Sequence, residues 1–195
     1  MAATTTRTTK ARTTSSRRAR PANRTSSSTG ILADLRADHK KVRKLLKQLE
    51  DAEEATEQRE LFTTIYTELM VHAKLEEQVF YPAYKDAVEA AGIDSEKDEE
   101  KRALFFEAAE EHASVEILLE KMKAGAFGSD EFCAQAVVLK EQVEHHADEE
   151  EEEMFPAAAK VMDRVELEAL RAQAEPVRES LMMEYGGQLP NARVR

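Results

Sequence analysis

The stretch Val71-His72-Ala73-Lys74-Leu75-Glu76-Glu77-Gln78-Val79-Phe80-Tyr81-Pro82 returns, altered, as His145-His146-Ala147-Asp148-Glu149-Glu150-Glu151-Glu152-Glu153-Met154-Phe155-Pro156. Each copy reads His-x-x-x-Glu-Glu, with a phenylalanine and a proline close behind. Residues four apart on a helix lie one turn apart on the same face. Each copy therefore aims an imidazole and a carboxylate in one direction. Two such pairs facing each other make a nitrogen-and-oxygen cage that suits a hard-to-borderline metal such as iron.

The flanking sequence is helical in period. Ile31, Leu35, His39, Val42, Leu46 and Leu49 advance by threes and fours along one face. The acidic segment 50–58 holds a turn. Leu61, Ile65, Leu69, His72, Glu76, Val79 and Ala83 form a second stripe, with Pro82 expected to bend that helix near its end. Ala91-Gly92-Ile93-Asp94-Ser95 stops it. Leu104, Phe105, Ala108, His112, Val115, Leu119 and Met122 form a third stripe, closed by Ala124-Gly125. Ser129 or Asp130 caps a fourth helix with the face Phe132, Ala136, Leu139, Val143, His146, Glu150 and Met154. A shorter fifth helix is expected from Asp163, where Glu166 completes a capping box, interrupted at Pro176 and fraying from Gly186-Gly187.

The first helices of the two hairpins also match. Asp38-His39 with Val42 and Leu45-Leu46 parallels Glu111-His112 with Val115 and Leu118-Leu119. Two copies of a helical hairpin predict an all-α, antiparallel up-down four-helix bundle. In such a bundle, residues equally far from a connecting turn lie at equal height. The midpoint of His39 and His72 is 55.5, that of Glu76 and His112 is 94, and that of His112 and His146 is 129. All three fall in or beside predicted turns, so the polar residues of four helices share one layer. One buried histidine is ordinarily satisfied by a local hydrogen bond. Four at one level, two in register with glutamate, are a costly burial that a coordinated ion makes tolerable.

Composition agrees with a helical chain: 195 residues, no Trp, six Gly and five Pro. The expected organisation is a disordered basic tail over 1–30, a bundle over 31–161, and a C-terminal helix and tail over 162–195. Cys133 stands alone, which excludes an intrachain disulfide or a Cys-based metal site, and it reads as a small apolar residue. No apolar run reaches bilayer length and no signal-peptide core is present, so a cytoplasmic protein without membrane contact is expected. The net charge of −11 divides unevenly, because residues 1–30 hold seven basic residues and no acid. The remainder is strongly acidic and repels nucleic acid, so phosphate contact is open only to residues 1–30. That segment fits a solvated extension, a nucleic-acid or acidic-partner arm, or an organellar transit peptide.

The order His39 … His72-x-x-x-Glu76 … His112 … His146-x-x-x-Glu150, with Leu35-Arg36-Ala37-Asp38-His39 at its start, resembles the hemerythrin-like family in its HHE branch. The likeness covers about residues 31–175. It implies a four-helix bundle holding two non-haem irons, bridged by an oxygen species and two carboxylates. By carry-over, Glu76 and Glu150 bridge, and His39, His72, His112 and His146 are terminal ligands. The oxygen carriers of the family have a second His four residues after the third-helix His; Glu116 stands there, phased to serve as an oxygen ligand or as a solvated side chain. Glu68, one turn before His72, is a further candidate. Those carriers also place an Asp five residues after the fourth-helix His, where this chain has a Glu at four, which weighs against reversible oxygen carriage.

His145 lies about 100° round the helix from His146 and reads as a rim residue. Glu149, Glu151, Glu152 and Glu153 read as a solvated acidic face. An apolar wall of Leu69, Phe105, Val115, Leu139 and Val143 is expected to limit access to the layer, and Tyr66, Tyr81 and Tyr84 read as packing residues. Three functions compete. The first is a di-iron protein that senses, stores or detoxifies O2, peroxide or NO in responses to oxidative stress. The second is a catalase- or peroxidase-like di-iron enzyme; a ferroxidase bundle is disfavoured by the absence of Glu-x-x-His pairs in the metal layer. The third is a metal-free interaction bundle with a basic nucleic-acid-binding arm.

Overall fold

The computed structural model describes residues 28–92 and 96–186. Most of the basic segment 1–30, the Ile93–Ser95 part of the expected stop and Gly187 lie outside them. Among the described residues, seven α-helices follow in order: α1 (Ile31–Asp51), α2 (Ala55–Leu75), α3 (Tyr81–Ala90), α4 (Glu96–Ala124), α5 (Asp130–Glu149), α6 (Phe155–Val161) and α7 (Arg164–Tyr185). A π-helical turn over Glu76–Phe80 joins α2 to α3, and another over Glu150–Met154 joins α5 to α6. Each pair makes one long rod. Rods α1, α2–α3, α4 and α5–α6 form the bundle, and the described residues contain no strand.

The α1 stripe is buried as its period predicts: Ile31, Leu35, His39, Val42, Leu46 and Leu49 all face inward. Ser129 caps α5, its side chain accepting the Phe132 N–H. In the second rod the expected stripe fails after Glu76. Val79 and Ala83 are only half-buried, and Phe80, Tyr84 and Val88 take the core positions. The π turn inserts one residue, and one residue is about 100° of helix rotation, so the apolar face moves on by one position.

The core has two parts. Leu35, Val71, Leu75, Phe80, Tyr84, Ala108 and Phe155 belong to one, with residues of α7. Val42, Leu46, Ile65, Leu69, Leu119, Leu139 and Val143 belong to the other. The histidine–glutamate layer separates them.

The C-terminal helix departs from expectation. Asp163 accepts from the Val165 and Glu166 N–H groups while Glu166 accepts from the Asp163 N–H, so the predicted capping box is present. The helix is not short, however, and Pro176 does not interrupt it. It runs 22 residues to Tyr185. The proline removes one hydrogen bond, but the rod is held on both sides of it. Leu170, Ala174 and Leu181 are buried, Arg171 pairs with Asp34 at 2.8 Å, and Arg178 pairs with Asp38 at 2.6 Å. Helix α7 packs along α1 and α2. At the start of α1, Gly30 has φ +58°, and a Cβ there would sit 2.4 Å from the Leu167 carbonyl carbon, so α7 docks where only glycine fits. Cys133 is exposed rather than packed inside, its Sγ 3.6 Å from the Gln58 amide nitrogen.

Candidate metal centre

The two repeated segments share a local device. His72 lies in the last turn of α2 and His146 in the last turn of α5, and the following π turns begin at Glu76 and Glu150. The turns close with the Tyr81 N–H donating to the Glu76 carbonyl and the Phe155 N–H donating to the Glu150 carbonyl. Pro82 and Pro156 follow at once. A proline ring clashes with the carbonyl four residues back, here inside each π turn, and the widened turn relieves that clash. The two prolines thus do more than bend a helix: they mark where the register slips beside the buried glutamates.

The layer brings six side chains together. Relative exposures run from 0 % for Glu76 and 1 % for Glu150 to 7 % for His112. His39 Nε2 and His72 Nε2 are 3.0 Å apart, and so are His112 Nε2 and His146 Nε2. Glu76 Oε2 lies 3.2 Å from His72 Nε2 and 3.4 Å from His112 Nε2. Glu150 Oε2 lies 3.2 Å from His39 Nε2 and 3.7 Å from His146 Nε2. Each carboxylate therefore faces both histidine pairs. Donors of one group, His39, His72, Glu76 and Glu150, all lie within 4.8 Å of one another, as do those of Glu76, His112 and His146.

All four imidazoles turn Nε2 inward and Nδ1 toward an outer carboxylate. His39 Nδ1 is 3.0 Å from Glu151, His112 Nδ1 is 3.1 Å from Glu77, and His146 Nδ1 is 2.8 Å from Glu111. His72 Nδ1 is 3.6 Å from Asp38, too long for a hydrogen bond, and that carboxylate is engaged by Arg178. A carboxylate behind a ligating imidazole fixes the ring and raises its basicity. Sequence reasoning missed this outer set and read Glu151 as part of a solvated face. Its signal was present in the doubled dipeptides Asp38-His39 and Glu111-His112, Glu76-Glu77 and Glu150-Glu151.

Electrostatics and orphaned atoms test whether these residues fit a cation. Burial, and then the charge of Glu150, push the Glu76 carboxyl well above the carboxylate range. Burial opposes ionisation of Glu150 as well, but His146, His39 and His72 outweigh it and hold that group low. Burial lowers His72 to about 4. Burial would also lower His39, but contact with Glu150 raises it on balance. Both oxygens of Glu76, Oε2 of Glu150 and Nδ1 of His72 are buried without a hydrogen-bond partner. Unpartnered carboxylate oxygens in a low-dielectric interior cost on the order of several kcal/mol. Shared imidazole and carboxylate donors with free lone pairs suit a borderline divalent or trivalent ion. The residues fit the group.

Two acidic candidates are not among the clustered donors, although Glu116 lines the cavity against the four histidines. Glu116 is 44 % exposed in its side chain and pairs with Lys74 at 3.2 Å, and Glu68 pairs with Lys41 at 2.8 Å. Of the tyrosines, Tyr81 is more than packing. Its hydroxyl donates to Glu150 Oε1 at 2.8 Å and its ring stacks on His112 with centroids 5.8 Å apart. Burial, and then Glu150 and Glu76, keep that hydroxyl protonated far above neutrality. Tyr66 instead donates to Glu120 at 2.6 Å, and Tyr84 stacks on Phe80. Leu69, Val115 and Val143 join Val42 and Leu119 around a small cavity of about 30 Å³ against the four histidines. Phe105 is elsewhere, against Tyr81 and Tyr84, and Leu139 belongs to the core beyond the layer. No helix among the described residues is long and apolar enough to cross a membrane.

Comparison with known proteins agrees with this geometry. The chain is similar to a DNA nickase of Nostoc sp., 27 % identical over 160 residues that make up 82 % of this chain. This chain spans 42 % of that relative's length. No solved structure matches the chain. Residues 30–158 match the hemerythrin HHE cation binding domain, a stretch that contains every donor of the buried layer. The chain belongs to the hemerythrin family of HHE cation-binding domains.

Proposed function

We propose that this protein is a non-haem di-iron protein that binds or reacts with small oxidants, O2, peroxide or NO, in sensing, storage or detoxification. The observation that carries the reading is the sharing of both buried carboxylates between two histidine pairs. His39 and His72 would hold one ion, His112 and His146 the other, and Glu76 and Glu150 would bridge. Bound irons would supply one-electron redox change and a coordination position open to a small ligand. Glu151, Glu77 and Glu111 orient the imidazoles, and Tyr81 donates to the far oxygen of Glu150. The cavity of about 30 Å³ has room for a molecule near the size of water, and its wall beside the histidines is mostly apolar, with Asp38 and Glu116 also lining it. Its size favours diatomic or peroxide ligands over larger substrates.

Metal analysis with an optical spectrum before and after peroxide tests the reading. About two irons per chain are expected from the doubled donor set. Iron near zero after anaerobic reconstitution would overturn it. Continuous peroxide decomposition without bleaching would assign a catalase-like activity, and a slow reversible spectral change would assign sensing or storage.

The name of the Nostoc relative and the seven basic residues of 1–30 support a second role, contact with DNA through that segment alone. Salt-dependent DNA binding that disappears on removing residues 1–30 is expected; binding unchanged by the deletion would refute it.

A further inference from the structure

The two hairpins repeat closely, yet the outer faces of their second helices differ. Positions Val71 and Leu75, one residue before each ligand of the first hairpin, are buried apolar residues. Their counterparts in the second hairpin are His145 and Glu149. The cause is visible in the packing. Helix α7 covers α1 and α2, and its Arg178 neutralises Asp38. The residue equivalent to Asp38 is Glu111, which α7 does not cover and which instead faces His145 and Glu149.

Glu111, His145 and Glu149 offer three donors within 4.8 Å of one another. His145 Nε2 is 3.3 Å from Glu149 Oε1 and 3.8 Å from Glu111 Oε1. Donors bound at about 2.1 Å to a common ion stand roughly 3 to 3.6 Å apart, so these need little adjustment. Among the residues whose side chains the structure describes, neither Glu111 nor Glu149 is paired with a lysine or arginine. Behind the cluster lies a recess of about 10 Å³, with Glu111 and Glu149 on its outer side and His146 and Glu150 on its inner side. Glu150 is buried and its Oε2 has no hydrogen-bond partner. Glu111 spans the two zones, with Oε1 toward His145 and Oε2 2.8 Å from His146 Nδ1.

We propose that Glu111, His145 and Glu149 form an outer site that captures a divalent transition-metal cation and passes it through this recess to the buried layer. One imidazole and two carboxylates give an open, weakly holding site that can release its ion inward, toward a denser donor set. The proposal rests on the buried layer being the resident metal centre.

The test is the rate at which the metal-free protein takes up ferrous ion without oxygen, sampled by chelator quench. The variant His145→Ala with Glu149→Gln leaves every buried donor in place. It should load about tenfold more slowly, as expected when a local charge focus is removed, yet reach the wild-type iron content and optical spectrum. A control, Glu141→Gln with Glu144→Gln, removes acidic charge elsewhere on α5 and should load at the wild-type rate. His145→Lys, which places a cation at the mouth, should slow loading at least as much. Equal rates in wild type and the double variant, or equal slowing by the control, would overturn the capture site. Failure of the wild type to take up iron at all would instead defeat the buried centre.

Discussion

Glu77, on the second rod of the first hairpin, lies 3.1 Å from Nδ1 of His112, on the first rod of the second hairpin. Its counterpart Glu151 makes the reciprocal contact with His39 at 3.0 Å. The first helices serve their own hairpins, Glu111 meeting His146 and Asp38 facing His72. The two halves are thus cross-connected by the residue that follows each buried glutamate. Replacing Glu77 or Glu151 by Gln keeps shape and removes the charge behind an imidazole. Either change should weaken metal binding by about 10- to 100-fold while leaving the helix content intact. Competition against a coloured chelator measures this, and an unchanged midpoint would show that the outer carboxylates are bystanders.

His72→Ala and Glu150→Ala should each abolish retention of metal, since each removes an inward donor. Glu76→Gln is the more informative change. It should also abolish retention, but it should stabilise the metal-free protein at neutral pH, because a neutral amide removes the penalty of burying a carboxyl whose ionised form the folded interior disfavours. Chemical denaturation of metal-stripped samples gives the comparison; a metal-free Gln variant weaker than wild type would contradict this account.

The stabilities of the metal-free and metal-loaded forms should diverge as pH rises. Glu76, His39 and His146 all have folded-state values above their unfolded ones. A raised group stabilises below its unfolded value, and that stabilisation is lost as pH rises through the folded value. His72 and Glu150 are lowered, and their effects fall below a pH of about 6.5. Above about pH 6.5 the metal-free protein should therefore lose stability with rising pH. The loaded protein should gain relative to it, because coordination needs deprotonated ligands. Thermal melts across that range, with and without metal, should show a widening gap in Tm; a constant gap would contradict the assignment of these groups as ligands.

Tyr81→Phe removes the hydrogen bond that a buried carboxylate oxygen, Glu150 Oε1, accepts from the Tyr81 hydroxyl at 2.8 Å. Loss of a hydrogen bond to a charged group costs about 1.5 to 3 kcal/mol. Metal content should persist, with a shifted optical spectrum and lower stability in urea. Unaltered spectrum and stability together would mean that the hydroxyl does not bear on Glu150.

Gly30→Ala tests the docking of α7 apart from the metal layer. Its Cβ would meet the Leu167 backbone at 2.4 Å, and its φ of +58° disfavours any side chain. Overpacking of this kind costs about 1 to 3 kcal/mol. The metal content should be unchanged, and a wild-type Tm would show that α7 readjusts freely.

Much of this architecture is written in residue spacing. The stripe from Ile31 to Leu49 is buried as its period requires, because a helix repeats every 3.6 residues and no later contact alters that repeat. The buried level of His39, His72, His112 and His146 follows from turn positions for the same reason. The stripe after Glu76 was misread because a π turn breaks the period, and a proline alone does not say whether a helix kinks, ends or widens. Pro176 shows the converse: neighbours on both sides keep α7 whole.

By itself the sequence put His39, His72, Glu76, His112, His146 and Glu150 on inward faces and left Glu116 and Glu68 open, since periodicity and turn placement are properties of the chain alone. Tertiary structure decided what surrounds them. Which carboxylate stands behind which imidazole, that Tyr81 reaches Glu150, and that α7 covers one hairpin but leaves His145 and Glu149 open all depend on how separate rods meet. Contacts between rods are set by packing at distances of a few ångströms, and spacing along one chain carries no record of them.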